Sequence, residues 1–227
     1  MKESKYYVVY DNIGLSYKDV ENFEEGCYLN DLNISFYYNY LTDKNKSYEA
    51  QYCLLDPAMS QSLYYDEDID FLKACLDPLD LVNKKFIFIP INDNTDKYKQ
   101  GGGSHWALIV YQKEKNLFFY LDSMSSFIKT TFDICKKMAK ILDLKTFTNN
   151  NIVKVSINNL QQNYCDCGVF LLGFTECILD RLNKQKFSFV FDVKELMESI
   201  NELDQGKVKI LRNELKQLVE DIRSKKK

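Results

Sequence analysis

Histidine and tryptophan are almost missing from this sequence, which has one of each among 227 residues. Proline and glycine are scarce as well, with three and eight copies, and no tract rich in Gly, Ser or Pro separates one part of the chain from another. No internal repeat recurs along the chain. Without linkers or repeats, the sequence predicts a single domain over residues 1–227.

Strong charge of either sign is also lacking, because the formal net charge is only −3. A nucleic-acid partner would need a clear basic excess, so we expect none. The N-terminus is charged and has only a short apolar run, and no segment approaches the roughly 18 apolar residues that span a bilayer. We therefore expect no export signal, no membrane contact, and a soluble monomer in the cytoplasm, the nucleus or both.

Metal-binding and disulfide patterns are absent, although seven cysteines are present. The number is odd and the spacing is irregular, which is typical of reduced thiols rather than of a disulfide framework. No pair has Cys-x-x-Cys spacing and only one histidine could assist, so we expect no zinc site and no cofactor. Most of these cysteines should be small core residues.

Apolar periodicity predicts helices and strands in mixed order. Helices are expected over residues 31–41, 67–76, 131–142, 168–182 and 208–223. Strands are expected over residues 6–10, 86–91, 106–111, 117–121 and 152–157, with a further short strand or extended arm through Phe187, Phe189 and Phe191. Because these elements do not alternate as β-α-β units, the predicted fold class is α+β. The polar segment 92–103 ends in three glycines and is expected to be the most flexible loop.

The single histidine, His105, stands where this glycine-rich loop enters a strand, next to the single tryptophan, Trp106. If the following hairpin closes symmetrically about Lys113 and Glu114, His105 faces Asp122. Opposed residues of an antiparallel pair lie roughly 5 Å apart, so the carboxylate could orient the imidazole and stabilise its charged form. The alternative is that Asp122 only shapes the turn after the strand.

Cys167 is the candidate nucleophile. It directly precedes Gly168 and a strongly apolar predicted helix, and the positive end of a helix dipole favours a thiolate. Gly168 would leave the backbone open for a substrate carbonyl to approach. Cys165 is the main competitor, but it lies upstream of the predicted helix and has no glycine after it.

An oxyanion formed at Cys167 would need hydrogen-bond donors. The backbone N–H of Cys167 is one candidate, and the side-chain amide of Gln161 or Gln162 is the other. The spacing does not distinguish the two glutamines, and either could be a solvated turn residue.

These residues together resemble the ubiquitin-like-protein-specific cysteine proteases, also called sentrin- or SUMO-specific proteases. The resemblance lies in residues 102–106 (Gly-Gly-Ser-His-Trp), 119–123 (Phe-Tyr-Leu-Asp-Ser) and 161–168 (Gln-Gln-Asn-Tyr-Cys-Asp-Cys-Gly). It implies a papain-like fold in which the catalytic residues follow the permuted order His, Asp, Cys. Residues 28–31, 79–85 and 91–94 further resemble the deneddylase branch, which implies the modifier of the neddylation pathway and its conjugates as partners.

The resemblance also implies roles for individual residues. His105, Asp122 and Cys167 would form the catalytic triad, and Gln161 rather than Gln162 would hold the oxyanion. Trp106 would lie over the diglycine of the modifier, where any Cβ would clash with the indole.

Further contacts with the modifier are implied around this tryptophan. Asp31 matches an acid that contacts substrate, and Tyr28 stands where the branch usually has tryptophan. Asn92 and Gly103 delimit the loop that closes on substrate. The sequence leaves open a desumoylating or deubiquitinating protease, an acyltransferase with the same triad, and an inactive modifier-binding module.

Overall fold

A five-stranded mixed sheet organises the protein in the computed structural model, which describes residues 5–99, 101–188 and 190–225. The strands are β1 (Val8–Tyr10), β2 (Ile13–Leu15), β3 (Tyr52–Leu54), β4 (Phe86–Asn92), β5 (Trp106–Gln112), β6 (Leu117–Leu121) and β7 (Ile152–Lys154). The main sheet has the order β3-β4-β5-β6-β7, with antiparallel pairs in the centre and a parallel pair at each edge. β1 and β2 form a separate hairpin.

Helices cover both faces of this sheet. They are α1 (Tyr17–Glu21), α2 (Asp31–Lys44), α3 (Pro57–Tyr65), α4 (Ile69–Leu76), α5 (Thr131–Ile141), α6 (Cys167–Lys184), α7 (Val193–Ile200) and α8 (Gln205–Ser224). Asn30 caps α2 in a capping box with Asn33. Among the described residues, no helix combines the length and apolarity needed to cross a membrane.

Two apolar cores lie on opposite faces of the sheet because side chains alternate along a strand. Phe86 and Phe88 of β4 pack in the core that includes α2, α6 and α8, whereas Ile87 and Ile89 pack in the core that includes α4 and α5. All seven residues of β4 are buried, as the dense apolar run predicted. The sheet is therefore covered on both faces, and the candidate site lies where β4 and β6 end and β5 begins.

The hairpin of β5 and β6 has a register different from the predicted one. Gln112 pairs with Leu117, so Tyr111 lies opposite Phe118 rather than Asn116. The turn takes four residues because Lys113–Lys115 form a 3-10 turn and Asn116 adopts a left-handed conformation with φ 51°. The predicted direct opposition of His105 and Asp122 is therefore wrong, since both residues lie just outside the paired strands.

The aromatic segment near residue 190 is also different from the prediction. Phe187 has φ 53°, and neither it nor Phe191 lies in a strand, but both side chains are buried against Phe86. Buried Gln112 holds this segment by accepting from Phe191 N (2.7 Å) and donating to its carbonyl (3.1 Å). Phe189 lies outside the described residues.

Candidate active site

His105 and Asp122 meet through a diagonal contact at the open end of the β5–β6 hairpin. His105 Nε2 lies 2.9 Å from Asp122 Oδ1. Both residues are buried, with 9% and 2% of their surfaces exposed. Diagonal neighbours across a hairpin are farther apart than opposed ones but stay within reach of long side chains. The predicted pairing of these side chains therefore exists, although the predicted register does not.

The Asp122 carboxylate is fixed by further donors. The Tyr120 hydroxyl donates to Oδ2 at 2.7 Å, Ser126 Oγ donates to Oδ2 at 2.5 Å, and the Met124 backbone N–H donates to Oδ1 at 2.7 Å. Burial alone would raise the pKa of Asp122, but the hydrogen bonds from His105, Ser126 and Tyr120 and the charge of His105 lower it to about 2. Asp122 is therefore an anion locked in one orientation.

The imidazole of His105 lies between two acidic groups. Burial lowers the pKa of His105, but Asp122 and the Cys167 thiol raise it, with a net result of about 10. Because Asp122 takes Nε2, Nδ1 is the ring nitrogen left for the thiol. Nδ1 is buried and makes no hydrogen bond that meets normal geometry with the described residues, although the Cys167 thiol acts on the ring. A charged imidazole beside a thiol stabilises the thiolate, which is the nucleophilic form.

Cys167 is the first residue of the 18-residue helix α6 and is 1% exposed. The backbone N–H groups of a first helical turn have no intrahelical acceptors, so that of Cys167 is available to an oxyanion. The structure explains the glycine at position 168 differently from the expected open access for a substrate carbonyl. A Cβ at this position would lie 2.9 Å from Leu29 Cβ, so glycine lets Leu29 pack onto the start of α6.

Cys165, the competing thiol, is in a different electrostatic position. It is 8% exposed, and its Sγ lies 4.0 Å from Asp166 Oδ1. Burial, and then the neighbouring Asp166 carboxylate, raise the pKa of Cys165. Both effects disfavour its thiolate, whereas Cys167 has the imidazole of His105 beside it.

The structure separates the two glutamines. Gln161 is tied to the turn after Asp122, because its Oε1 accepts from Ser123 Oγ (2.8 Å) and its N–H donates to Ser123 O (2.9 Å). Its Nε2 donates to Asn163 O at 2.6 Å and to Asn163 Oδ1 at 3.3 Å, so it would have to exchange one of these bonds for a substrate oxygen. The side chain of Gln162 is exposed.

The remaining candidate residues line one cavity of about 570 Å³, which is also lined by Ser104, the residue before His105. These residues are Tyr28, Asp31, Asn92, Gly103 and Trp106. The Trp106 indole is half-buried, and its Nε1–H donates to Leu29 O at 2.9 Å. The structure thus brings together all five residues that the resemblance connected with the modifier.

The base of the loop before His105 is held by residues that the sequence analysis missed. Asp93 Oδ1 accepts from the N–H groups of Ser104 (2.6 Å) and His105 (3.0 Å). Gly103 has φ 87°, and a Cβ there would lie 1.9 Å from Asn92 Oδ1. Aspartate commonly accepts from nearby backbone N–H groups in turns, so its position just after β4 was a usable signal.

A second cavity of about 450 Å³ opens on the other side of His105. Its lining includes Met124, Phe127 and Tyr164, which are 43%, 47% and 81% exposed. Tyr28 and Ser104 line both cavities, so a chain passing the imidazole could occupy one cavity on each side.

Comparisons with known proteins agree over most of the chain. The C-terminal catalytic domain of the Ulp1 protease family matches residues 27–225. A probable sentrin-specific protease 8 of Dictyostelium discoideum is 31% identical over 187 residues, covering 78% of this chain and 76% of the relative. NEDD8-specific protease 1 of Arabidopsis thaliana is 30% identical over 172 residues, covering 75% and 74%.

The structural comparison extends further along the chain. The C-terminal Ulp1 protease domain, solved in complex with Smt3, the yeast ortholog of SUMO, superposes with a TM-score of 0.67 at 17% identity. The match covers 98% of this chain and 90% of that one. The expected papain-like α+β fold is therefore confirmed.

Proposed function

Because this chain belongs to the Ulp1 protease family and is a cysteine peptidase, we propose that it cleaves a ubiquitin-like modifier after its C-terminal Gly-Gly. The proposed modifier is NEDD8, both as a precursor and as a conjugate on target lysines. The observation that carries the proposal is a pair of cavities that share Tyr28 and Ser104, one lined by Trp106 and the other by His105. The geometry of the candidate site and the names of the relatives each support the proposed function independently.

The proposed reaction uses the buried charges already described. The Cys167 thiolate attacks the carbonyl carbon of the last glycine, and the resulting oxyanion accepts from the Cys167 N–H and the Gln161 amide. The His105 imidazolium, held by Asp122, gives its proton to the leaving amine. Neutral His105 then takes a proton from water, whose oxygen attacks the thioester and releases the modifier's carboxylate and Cys167.

The cavity beside Trp106 suits an extended tail without side chains. Trp106 and Tyr28 supply aromatic walls, and the loop that ends at Gly103 supplies backbone. Asp31 and Asn92 supply polar contacts further along the same cavity. The leaving segment, either the precursor's extension or the target lysine, would occupy the second cavity near Met124 and Phe127.

The choice of NEDD8 depends on relatives rather than on the triad, which acts only on the bond that is cut. Two relatives, at 31% and 30% identity, are named sentrin-specific protease 8 and NEDD8-specific protease 1. The domain solved with Smt3 is only 17% identical, so it supports the fold and not a preference for SUMO. Tyr28 supplies an aromatic contact where the resemblance expects tryptophan.

A panel of modifiers with a reactive C-terminal electrophile tests both the chemistry and the choice of modifier. NEDD8, SUMO and ubiquitin probes are added separately to the full chain, and adduct formation is followed by intact mass and by mapping the labelled cysteine. We expect the NEDD8 probe to label Cys167 fastest, Cys167→Ala to form no adduct, and Cys165→Ser to be labelled normally. Faster labelling by SUMO or ubiquitin would reject NEDD8, and no labelling by any probe would reject the proposed function.

A further inference from the structure

Arg212 of α8 lies 45 positions after the candidate nucleophile in the chain, yet its guanidinium reaches the loop that carries it. The residue is 3% exposed. Its Nε and Nη2 donate to Asp166 Oδ1 at 3.0 and 2.6 Å. Nη1 donates to the carbonyls of Asn22 (2.9 Å) and Glu24 (3.0 Å), and Nη2 donates to that of Cys27 (3.0 Å). Arg212 thus joins the cysteine loop to the segment 22–27.

Asp166 links Arg212 to the rest of the cysteine loop, residues 161–167, through hydrogen bonds. Its Oδ2 accepts from Asn163 Nδ2 (2.7 Å) and Gln205 Nε2 (2.5 Å). Asn163 Oδ1 accepts from the N–H groups of Cys165 and Asp166, at 3.2 and 3.1 Å, and Asn163 O accepts from Gln161 Nε2. A shift of Asp166 would therefore move the candidate oxyanion donor and the start of α6 together.

Arg212 also binds next to the wall of the cavity that is lined by Tyr28 and Trp106, called the modifier cavity below. Cys27, whose carbonyl Arg212 binds, directly precedes Tyr28 and Leu29, which line that cavity. Leu29 packs onto Gly168, and its carbonyl accepts from the Trp106 indole. Arg212 consequently connects the cysteine loop with the segment that precedes Tyr28 and Leu29.

Arg212 also balances a charge that is unfavourable for the nucleophile. Asp166 is 5% exposed and immediately precedes Cys167, and an unpaired buried carboxylate at that point would oppose a thiolate. His105 and Cys165 interact electrostatically with the Cys167 thiol, and Asp166 and Arg212 both act on Cys165, two positions before it. Arg212 is the cation that faces Asp166, which leaves His105 for the thiolate.

We propose that Arg212 is a positioning residue of this active site, which fixes the cysteine loop against the wall of the modifier cavity and neutralises Asp166. The proposal deepens the proposed function, on which its kinetic part depends. Its electrostatic part concerns only the thiol of Cys167 and can be tested without any modifier.

Two measurements on the full chain test these parts separately. The first is the rate of Cys167 alkylation by iodoacetamide as a function of pH, followed by mass spectrometry. The second is kcat and KM for NEDD8 linked to aminomethylcoumarin. In Arg212→Met we expect the pH midpoint of alkylation to rise by about one unit, and kcat to fall by about a hundredfold.

Companion variants separate charge from geometry. Adding Asp166→Asn to Arg212→Met removes the unpaired carboxylate. The pH midpoint of Cys167 alkylation should then return to its wild-type value, while kcat stays low. Arg212→Lys keeps the charge but cannot reach all the acceptors, so its midpoint should stay near that of the wild type while kcat falls about tenfold. Lys137→Met is the matched control. Lys137 is another buried cation bound to two carbonyls and a carboxylate, but it belongs to α5, whose apolar residues pack on the other face of the sheet.

The outcomes distinguish the proposals from each other. If, per folded molecule, Arg212→Met keeps the wild-type pH midpoint and kcat as Lys137→Met does, Arg212 is only structural and the inference is wrong. If Arg212→Met does not fold, an unchanged kcat in Arg212→Lys leads to the same conclusion. If wild type does not cut the NEDD8 substrate and no modifier probe labels it, but the pH midpoint still shifts in Arg212→Met, the proposed function fails while the electrostatic role of Arg212 stands.

Discussion

Replacing Gly103 with alanine tests whether the loop before His105 controls the modifier cavity. Gly103 has φ 87°, and a Cβ there would lie 1.9 Å from Asn92 Oδ1 and 2.8 Å from Asp93 Oδ1. An L-residue in the left-handed region costs about 1–2 kcal/mol. The first contact is far too short to be relieved without rotating Asn92, whose Oδ1 accepts from Asn94 N at 2.9 Å.

The clash adds a second free-energy cost to that of the left-handed backbone conformation. Losing the Asn92–Asn94 hydrogen bond costs about 0.5–1.5 kcal/mol. Displacing Asp93 would also loosen its hold on the backbone of His105. We expect the free energy of unfolding to fall by about 2–3 kcal/mol, and kcat/KM for NEDD8-aminomethylcoumarin to fall by about tenfold to a hundredfold.

Gly101 provides the matched control within the same loop. It has φ 63°, but a Cβ there would meet nothing within 4 Å. Gly101→Ala should therefore carry the backbone cost without the clash, and its kcat/KM should stay within about threefold of wild type. If Gly103→Ala matches Gly101→Ala in both chemical denaturation and kcat/KM, the packing of Asn92 against Gly103 does not shape the site and the reasoning is refuted.

Three further predictions concern the candidate catalytic residues. Cys167→Ser should abolish cleavage while Cys165→Ser keeps most of it, and the opposite result in folded proteins would reverse their assignment. Trp106→Ala should cripple cleavage of the modifier but leave Cys167 open to iodoacetamide; loss of both would indicate general damage to the site. The wild-type stability advantage over Asp122→Asn should be greatest between about pH 4 and 6.5. This stability advantage should shrink as pH rises through the folded pKa of His105, about 10. It should also shrink as pH falls through the folded pKa of Asp122, about 2. A stability advantage that does not depend on pH would reject this ion pair.

The sequence predicted the parts of the structure whose signals are local. The amphipathic pattern of residues 208–223 and the dense apolar run at 86–91 correspond to α8 and β4. Helices α1, α3 and α7 were not predicted, although Ser16, Asp56 and Asp192 cap them through side-chain hydrogen bonds.

Features fixed by distant contacts could not be predicted in the same way. The hairpin register depends on the left-handed Asn116, which the charged turn sequence does not specify. Arg212 stands in an amphipathic helical pattern where arginine is usually solvated. Its partners come from residues 22–27 and from Asp166, which no periodicity in α8 connects with it.

The buried charges around the nucleophile form two pairs with different purposes. Asp166 has Arg212 as its cation, and Asp122 has His105. Without Arg212, Asp166 would have no ion-pair partner among the described residues, and an unpaired carboxylate would lie directly before the candidate nucleophile. With Asp166 neutralised from α8, the imidazolium of His105 is left to Asp122 on one side and to Cys167 on the other. In the proposed mechanism, this long-range ion pair would let His105 be oriented through one ring nitrogen and act through the other.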